Sequence, residues 1–256
     1  MRTVDLNADM GEGFGPWPMG DDAALLEVVT SANIACGMHA GDPDTMARAM
    51  KAAARNGVGI GAHPGFADLR GFGRRRMHLP EEALANLIRY QVAAAQGMAR
   101  AAGAPLAHLK LHGALANMAA EDEGMARTCY EAALSVAPDL TVMVLAETAQ
   151  QAAAQALGVP VACEIFADRA YEDDATLVDR AKPGAVIHDA DRASARILKM
   201  LEAGAIIAES GKHIPTRIDT ICLHGDTPEA VGMARHLRRA LEEAGVRVAR
   251  LNGRPL

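Results

Sequence analysis

Short runs of β-branched and aliphatic residues alternate from end to end with longer stretches rich in Ala, Leu, Arg and Glu at helical spacing. This alternation restricts the fold to βα units around a mostly parallel sheet. Strands are predicted over residues 3–7, 31–35, 58–62, 107–111, 141–145, 161–166, 185–187 and 220–223, with a ninth run at 246–251 as a possible edge. Helix starts are announced at Asp42-Pro43, Pro80-Glu81-Glu82 and Thr227-Pro228-Glu229, where a capping side chain or first-turn proline precedes the apolar periodicity. Gly57, Gly103, Gly158, Gly204 and Gly245 follow helical stretches and are expected to end them. No Pro- or Ser-rich linker divides the 256 residues, so one α/β domain spanning residues 1–256 is expected, barrel-like or doubly wound. In either architecture ligands bind beyond the carboxyl ends of the strands, and polar residues that follow a strand are therefore the candidates for chemistry.

Composition narrows the function. A hydrophobic fraction of 50% supports a sizeable core, while only 3% aromatics leaves few platforms for stacking bases or sugars. A formal charge of −6 and a basic run limited to Arg74, Arg75 and Arg76 disfavour nucleic acid as a partner. Asp5, Asp9 and Glu12 occupy the first twenty residues, and no apolar run approaches the roughly 18 residues that span a bilayer. A cytoplasmic location without membrane contact is expected. Cys36, Cys129, Cys163 and Cys222 are far apart with no C-x-x-C pair, as reduced thiols would be.

Ionisable groups cluster after the strands. Asp5, Asn7 and Asp9 share one face of the first strand by its period of two. Asn33 lies in the second strand and His39 just beyond it between Gly37 and Gly41; His63 follows the third strand. Lys110 and His112 end the fourth, Glu164, Asp168 and Arg169 the sixth, and His224 and Asp226 the last. His78, His108, His188, His213 and His236 are read as structural. Carboxylates beside neutral histidines can hold a water-activating divalent metal or act as a metal-free acid and base. H-E-x-x-H, H-x-x-x-H, G-x-S-x-G, G-x-G-x-x-G and P-loop patterns are all absent, so no metal is firmly predicted and no serine nucleophile, Rossmann or Walker site is supported. The loop at 68–76, which carries Arg74, Arg75 and Arg76, could together with Arg169 surround a phosphate or carboxylate near the rim.

Six blocks, in order, resemble the signatures of the LamB/YcsF family: residues 5–12 (Asp-Leu-Asn-Ala-Asp-Met-Gly-Glu), 31–43, 60–65, 71–75, 164–169 and 224–226. One block departs, because the family's Lys-Pro-His-Gly-Ala-Leu-Tyr-Asn reads Lys-Leu-His-Gly-Ala-Leu-Ala-Asn at 110–117, changing the surroundings at Leu111 and Ala116. The resemblance implies a seven-stranded (β/α) barrel similar to glycoside hydrolase/deacetylase-like proteins. It also implies cleavage of 5-oxo-L-proline to L-glutamate with ATP as co-substrate, together with 5-oxoprolinase subunits B and C. On this reading Asp5, Asn7, Asp9, His39, His63, Lys110 and His112 are the catalytic set. Asp9 or Asp5 with His63 or His112 would position water, and Lys110 and His39 would stabilise an oxyanion. Glu12, Asn33, Arg74, Glu164, Asp168, Arg169, His224 and Asp226 would bind substrate. Two rivals are a stand-alone metal-dependent deacetylase or amidohydrolase and a non-catalytic component that only binds substrate.

Overall fold

A computed structural model describes residues 2–225 and 230–251. Seven parallel strands close into a barrel: β1 (Thr3–Met10), β2 (Ser31–Ala35), β3 (Gly59–His63), β4 (Leu106–Lys110), β5 (Thr141–Leu145), β6 (Val161–Phe166) and β9 (Thr220–Leu223). β9 pairs with both β6 and β1, and that double pairing shuts the sheet. The barrel alternative therefore prevails over the open sheet. Around it lie α1 (Asp22–Leu25), α2 (Pro43–Arg55), α3 (Glu81–Ala101), α4 (Gly113–Glu121), α5 (Glu123–Leu134), α6 (Ala149–Ala156), α7 (Ala190–Ala203) and α8 (Ala230–Glu243). A small antiparallel hairpin, β7 (Ala205–Ile207) with β8 (His213–Pro215), follows α7, and β10 (Arg247–Val248) adds to the foot of β1. Among the described residues no helix is long and apolar enough to cross a membrane.

The helix signals act as expected. Asp42 accepts from the backbone N–H of Asp44 and Thr45 ahead of Pro43, which fixes the start of α2. The five glycines expected to end helices all take positive φ. The predicted start at Thr227-Pro228-Glu229 lies outside the described residues.

Period-two alternation divides each strand between two environments. Leu6, Ala8, Met10, Ile34, Ile60, Leu109, Val142, Val144, Ile165 and Ile221 join one apolar layer with Met46, Met50, Ile88, Val92 and Ile197 of the helices. The opposite faces meet inside the barrel, and there the filling is mostly polar: Asp5, Asn7, Asn33, His108, Lys110, Glu164 and Thr220 are buried and cross-bonded. Such groups are tolerated only when paired, because an unpaired buried polar atom forfeits its hydration. A small apolar cluster of Met143, Ala162 and Leu251 accompanies them.

Two expectations are corrected. Residues 185–187 form no strand: the Ala170 N–H donates to the Ala185 carbonyl and the Ile187 N–H to that of Asp168, so this short run is folded back against the segment leaving β6. Three residues are also too few to cross a barrel. The first strand does not end at Asn7 but continues to Met10, which places Asp5 in its first half rather than at its end.

Candidate active site

The inward face of β1 carries its three polar residues at three heights. At the lowest level Asp5 accepts from Thr30 Oγ1 (2.7 Å), Ser31 Oγ (2.7 Å) and Thr220 Oγ1 (2.6 Å). Burial pushes its carboxyl up, and the three hydroxyls oppose that. One level higher, the Asn7 amide donates to Glu164 Oε1 at 3.0 Å and to Thr220 at 2.7 Å, and its oxygen accepts from Asn33 at 2.7 Å. Asn33 in turn donates to Asp9 Oδ1 at 2.9 Å, and its own oxygen lies 2.8 Å from His108 Nε2. The third level is the mouth, and Asp9 stands there.

Lys110, at the end of β4, unites the upper layer. Its Nζ reaches Asp9 Oδ1 at 2.9 Å, Glu164 Oε1 at 3.1 Å and Cys222 Sγ at 2.8 Å. Burial alone would lower its pKa, yet Asp9, Cys222 and Glu164 together hold it well above the usual lysine range, so the ammonium persists. The two carboxylates respond in opposite senses. Burial would raise Asp9, but His63 and Lys110 against it hold it well below the ordinary value. Glu164 is raised by burial, which Lys110 offsets only in part. A carboxylate kept ionised and a carboxyl pushed toward its neutral form thus share one ammonium.

Above Asp9 lies a histidine cluster. His63, ending β3, places Nε2 at 3.3 Å from Asp9 Oδ2 and 3.0 Å from His112 Nδ1. His39 stacks on His112 with centroids 3.7 Å apart. Burial, reinforced by neighbouring histidines, depresses both His39 and His112 well below the usual range. The loop over them needs glycine: at Gly73, with φ +63°, a Cβ would sit 2.7 Å from His39 Cβ and 2.8 Å from His112 Cδ2. Candidate metal-binding atoms of Glu12, His39, His63 and His112 all lie within 4.8 Å of one another, and all four residues are buried.

These groups open into a cavity of about 490 Å³ lined by Asp9, His63, Lys110, His112 and Glu164 together with Arg74, Arg76, Arg169, Arg180 and His224. His224 places Nδ1 2.6 Å from Asp168 Oδ2 and Nε2 2.8 Å from Arg180 Nη2. With Arg180 donating to Nε2, the imidazole proton sits on Nδ1, facing the carboxylate. Arg169, lowered to about 10 by burial, donates to the carbonyls of Val178 and Ala185 and straps the rim segment in place. Arg75 of the basic run pairs with Asp68 instead of lining the cavity.

Of the residues singled out in the sequence, Asp9, His63, Arg74, Lys110, His112, Glu164, Arg169 and His224 meet at this cavity. Glu12 and His39 flank it through the histidine cluster, Asp168 supports His224, and Asn7 and Asn33 form the layer beneath. Asp5 is not brought to the mouth. Asp226 lies outside the described residues. Arg76 of the basic loop also lines the cavity, whereas sequence reasoning misses Phe166 and Arg180 as site residues; Arg180 sits in an irregular stretch with no periodicity to mark it. His108, structural by the sequence reading, holds Asn33 inside the barrel.

The LamB/YcsF family model matches residues 4–255. The chain is 66% identical to the A subunit of the 5-oxoprolinase of Ruegeria pomeroyi, over 97% of this chain and 98% of that one. Its structure is similar to the lactam utilization protein of Thermus thermophilus, with a TM-score of 0.90 and 41% identity over 97% of this chain and 100% of that one. The catalytic domain of a peptidoglycan N-acetylglucosamine deacetylase from Eubacterium rectale shares the fold alone, at TM-score 0.53 and 10% identity over 98% and 89% of the two chains.

Proposed function

The chain belongs to the LamB/YcsF family, and we propose that it is the A subunit of a multi-subunit 5-oxoprolinase, opening 5-oxo-L-proline to L-glutamate in a cytoplasmic, ATP-dependent reaction with subunits B and C. The observation that carries this reading is the pairing at one cavity of an ionised Asp9 with an up-shifted Glu164 across Lys110, faced by Arg74, Arg76 and Arg180.

A five-membered lactam is a resonance-stabilised amide and a poor electrophile. Phosphorylation of its oxygen by ATP weakens that resonance and supplies the activation. The chain has no P-loop, and in this proposal the nucleotide is handled with subunits B and C. Water, positioned by His63 and His112, then adds to the activated carbon, its proton passing to Asp9. Lys110 stabilises the charge that develops on oxygen. Glu164 gives a proton to the ring nitrogen as the C–N bond breaks, leaving the γ-acyl phosphate of glutamate. A second water releases phosphate. The arginines of the cavity hold the substrate carboxylate and the phosphoryl group.

His112→Ala in the assembled enzyme tests this role. Glutamate release is expected to fall by at least about 100-fold while association with subunits B and C, followed by gel filtration, is unchanged. Full activity would remove the histidine cluster from the mechanism.

A further inference from the structure

The hydrogen bonds around the histidines fix their tautomers. A backbone carbonyl only accepts, so the 2.8 Å contact of His63 Nδ1 with the Lys110 oxygen places a proton on Nδ1. By the same reasoning, the 2.8 Å contact of His112 Nε2 with the Phe72 oxygen places its proton on Nε2. A neutral imidazole carries one N–H. The remaining nitrogens, His63 Nε2 and His112 Nδ1, face each other at 3.0 Å, with Asp9 Oδ2 3.3 Å from the first, so the gap must hold either a proton or a metal ion. Facing lone pairs repel unless a positive species lies between them.

His39 supplies a second, independent observation. It is 1% exposed, and neither of its ring nitrogens has a hydrogen-bond partner. A wholly buried imidazole with both nitrogens unsatisfied is anomalous in a folded protein. Its candidate ligand atom is within 4.8 Å of those of His63, His112 and Glu12, and because the ring lies flat on His112, ligation by both requires His39 to turn out of that stack.

We propose that His39, His63, His112 and Glu12 hold one divalent transition-metal ion of the zinc class, with Asp9 at its edge. Adjacent ligands on metal–nitrogen bonds of about 2.0–2.1 Å stand about 3.0–3.4 Å apart, the range in which His63, His112 and Asp9 are found. The carbonyls of Lys110 and Phe72 act as the outer acceptors that orient ligating histidines. Three imidazoles and one carboxylate select zinc, nickel or copper over the oxygen-seeking magnesium and calcium. Such an ion would supply a Lewis acid beside the carboxylate that faces the cavity. Metal binding at these residues goes beyond the proposed lactam reaction and does not rest on it.

The test is metal retention by the purified full-length chain. Chelator-treated protein is incubated with Zn²⁺, Mg²⁺ and Ca²⁺ together, desalted and measured by mass spectrometry for metal content; a Co²⁺-loaded sample is followed by its visible spectrum. About one zinc per chain is expected, with no magnesium or calcium and an intensified cobalt ligand-field band. His63→Ala and His39→Gln, checked for folding by circular dichroism, should each weaken zinc retention by tenfold or more. Should those variants fail to fold, a zinc-dependent rise in the wild-type unfolding temperature decides in favour, and its absence against. A folded wild type that retains no zinc and leaves cobalt in its aqueous spectrum overturns the proposal and assigns the gap to a shared proton. Zinc retained equally by the folded variants overturns it as well. Glutamate release measured in parallel separates the two readings: no metal with full release removes only the ion, and bound metal with no release removes only the lactam reaction.

Discussion

Two residues of the barrel interior show how burial sets chemistry. His108 is held at about 3, mainly by burial and then by Lys110, while its unfolded value is near 6.5. The folded state therefore keeps it neutral while the unfolded chain takes up a proton, and its contribution to stability is present above about pH 6.5 and lost as pH falls toward 3. His39 and His112 are depressed in the same direction and add to the slope; Asp5 and Glu164, raised by burial, oppose it. His108→Gln keeps a donor for Asn33 and removes the titration. Between pH 7 and 5 the wild type is expected to lose about 2 kcal/mol more than this variant, measured by urea unfolding; parallel losses would show that His108 is not held neutral. At the mouth, Glu164→Gln is expected to lower kcat about 100-fold and to flatten the alkaline limb of its pH profile, leaving the acid limb that belongs to Asp9. An unchanged alkaline limb would remove Glu164 as the acid.

At the scale of elements, close approach dictates sequence. β3 has Gly61 facing His108: a Cβ there would lie 2.0 Å from His108 Nε2. Gly61→Ala must displace that ring from Asn33, and a loss of roughly 2–4 kcal/mol is expected, read from the denaturation midpoint; a loss below about 1 kcal/mol would mean the ring moves freely. The strands themselves are legible in the sequence because their outward faces are continuous in Val, Ile, Leu and Ala. The end of β1 is not: Asp is disfavoured in strands, yet Asp9 pairs with Asn33 in the ladder to β2, and its side chain is held by Asn33 and, across the barrel, by Lys110. That is also why Asp5 resembles a mouth residue in the sequence and lies below the mouth in the fold. The apolar triplet at 185–187 mimics a strand because a pattern of three residues cannot distinguish a barrel stave from a rim segment paired with its own return.

For the whole molecule, the closed barrel turns seven separate strand ends into one site. Histidines, carboxylates and Lys110 are each visible in the sequence as strand-end residues, and the resemblance of six blocks points to the family; the tautomers, the opposed shifts of Asp9 and Glu164, and the place of Arg180 require the fold. The measurement that bears most directly on the proposed activity is glutamate release from 5-oxo-L-proline and ATP by this chain alone, by subunits B and C alone, and by all three. Release only from the full mixture is the predicted result. Release from subunits B and C without this chain, or silence from the complete mixture, would contradict the account.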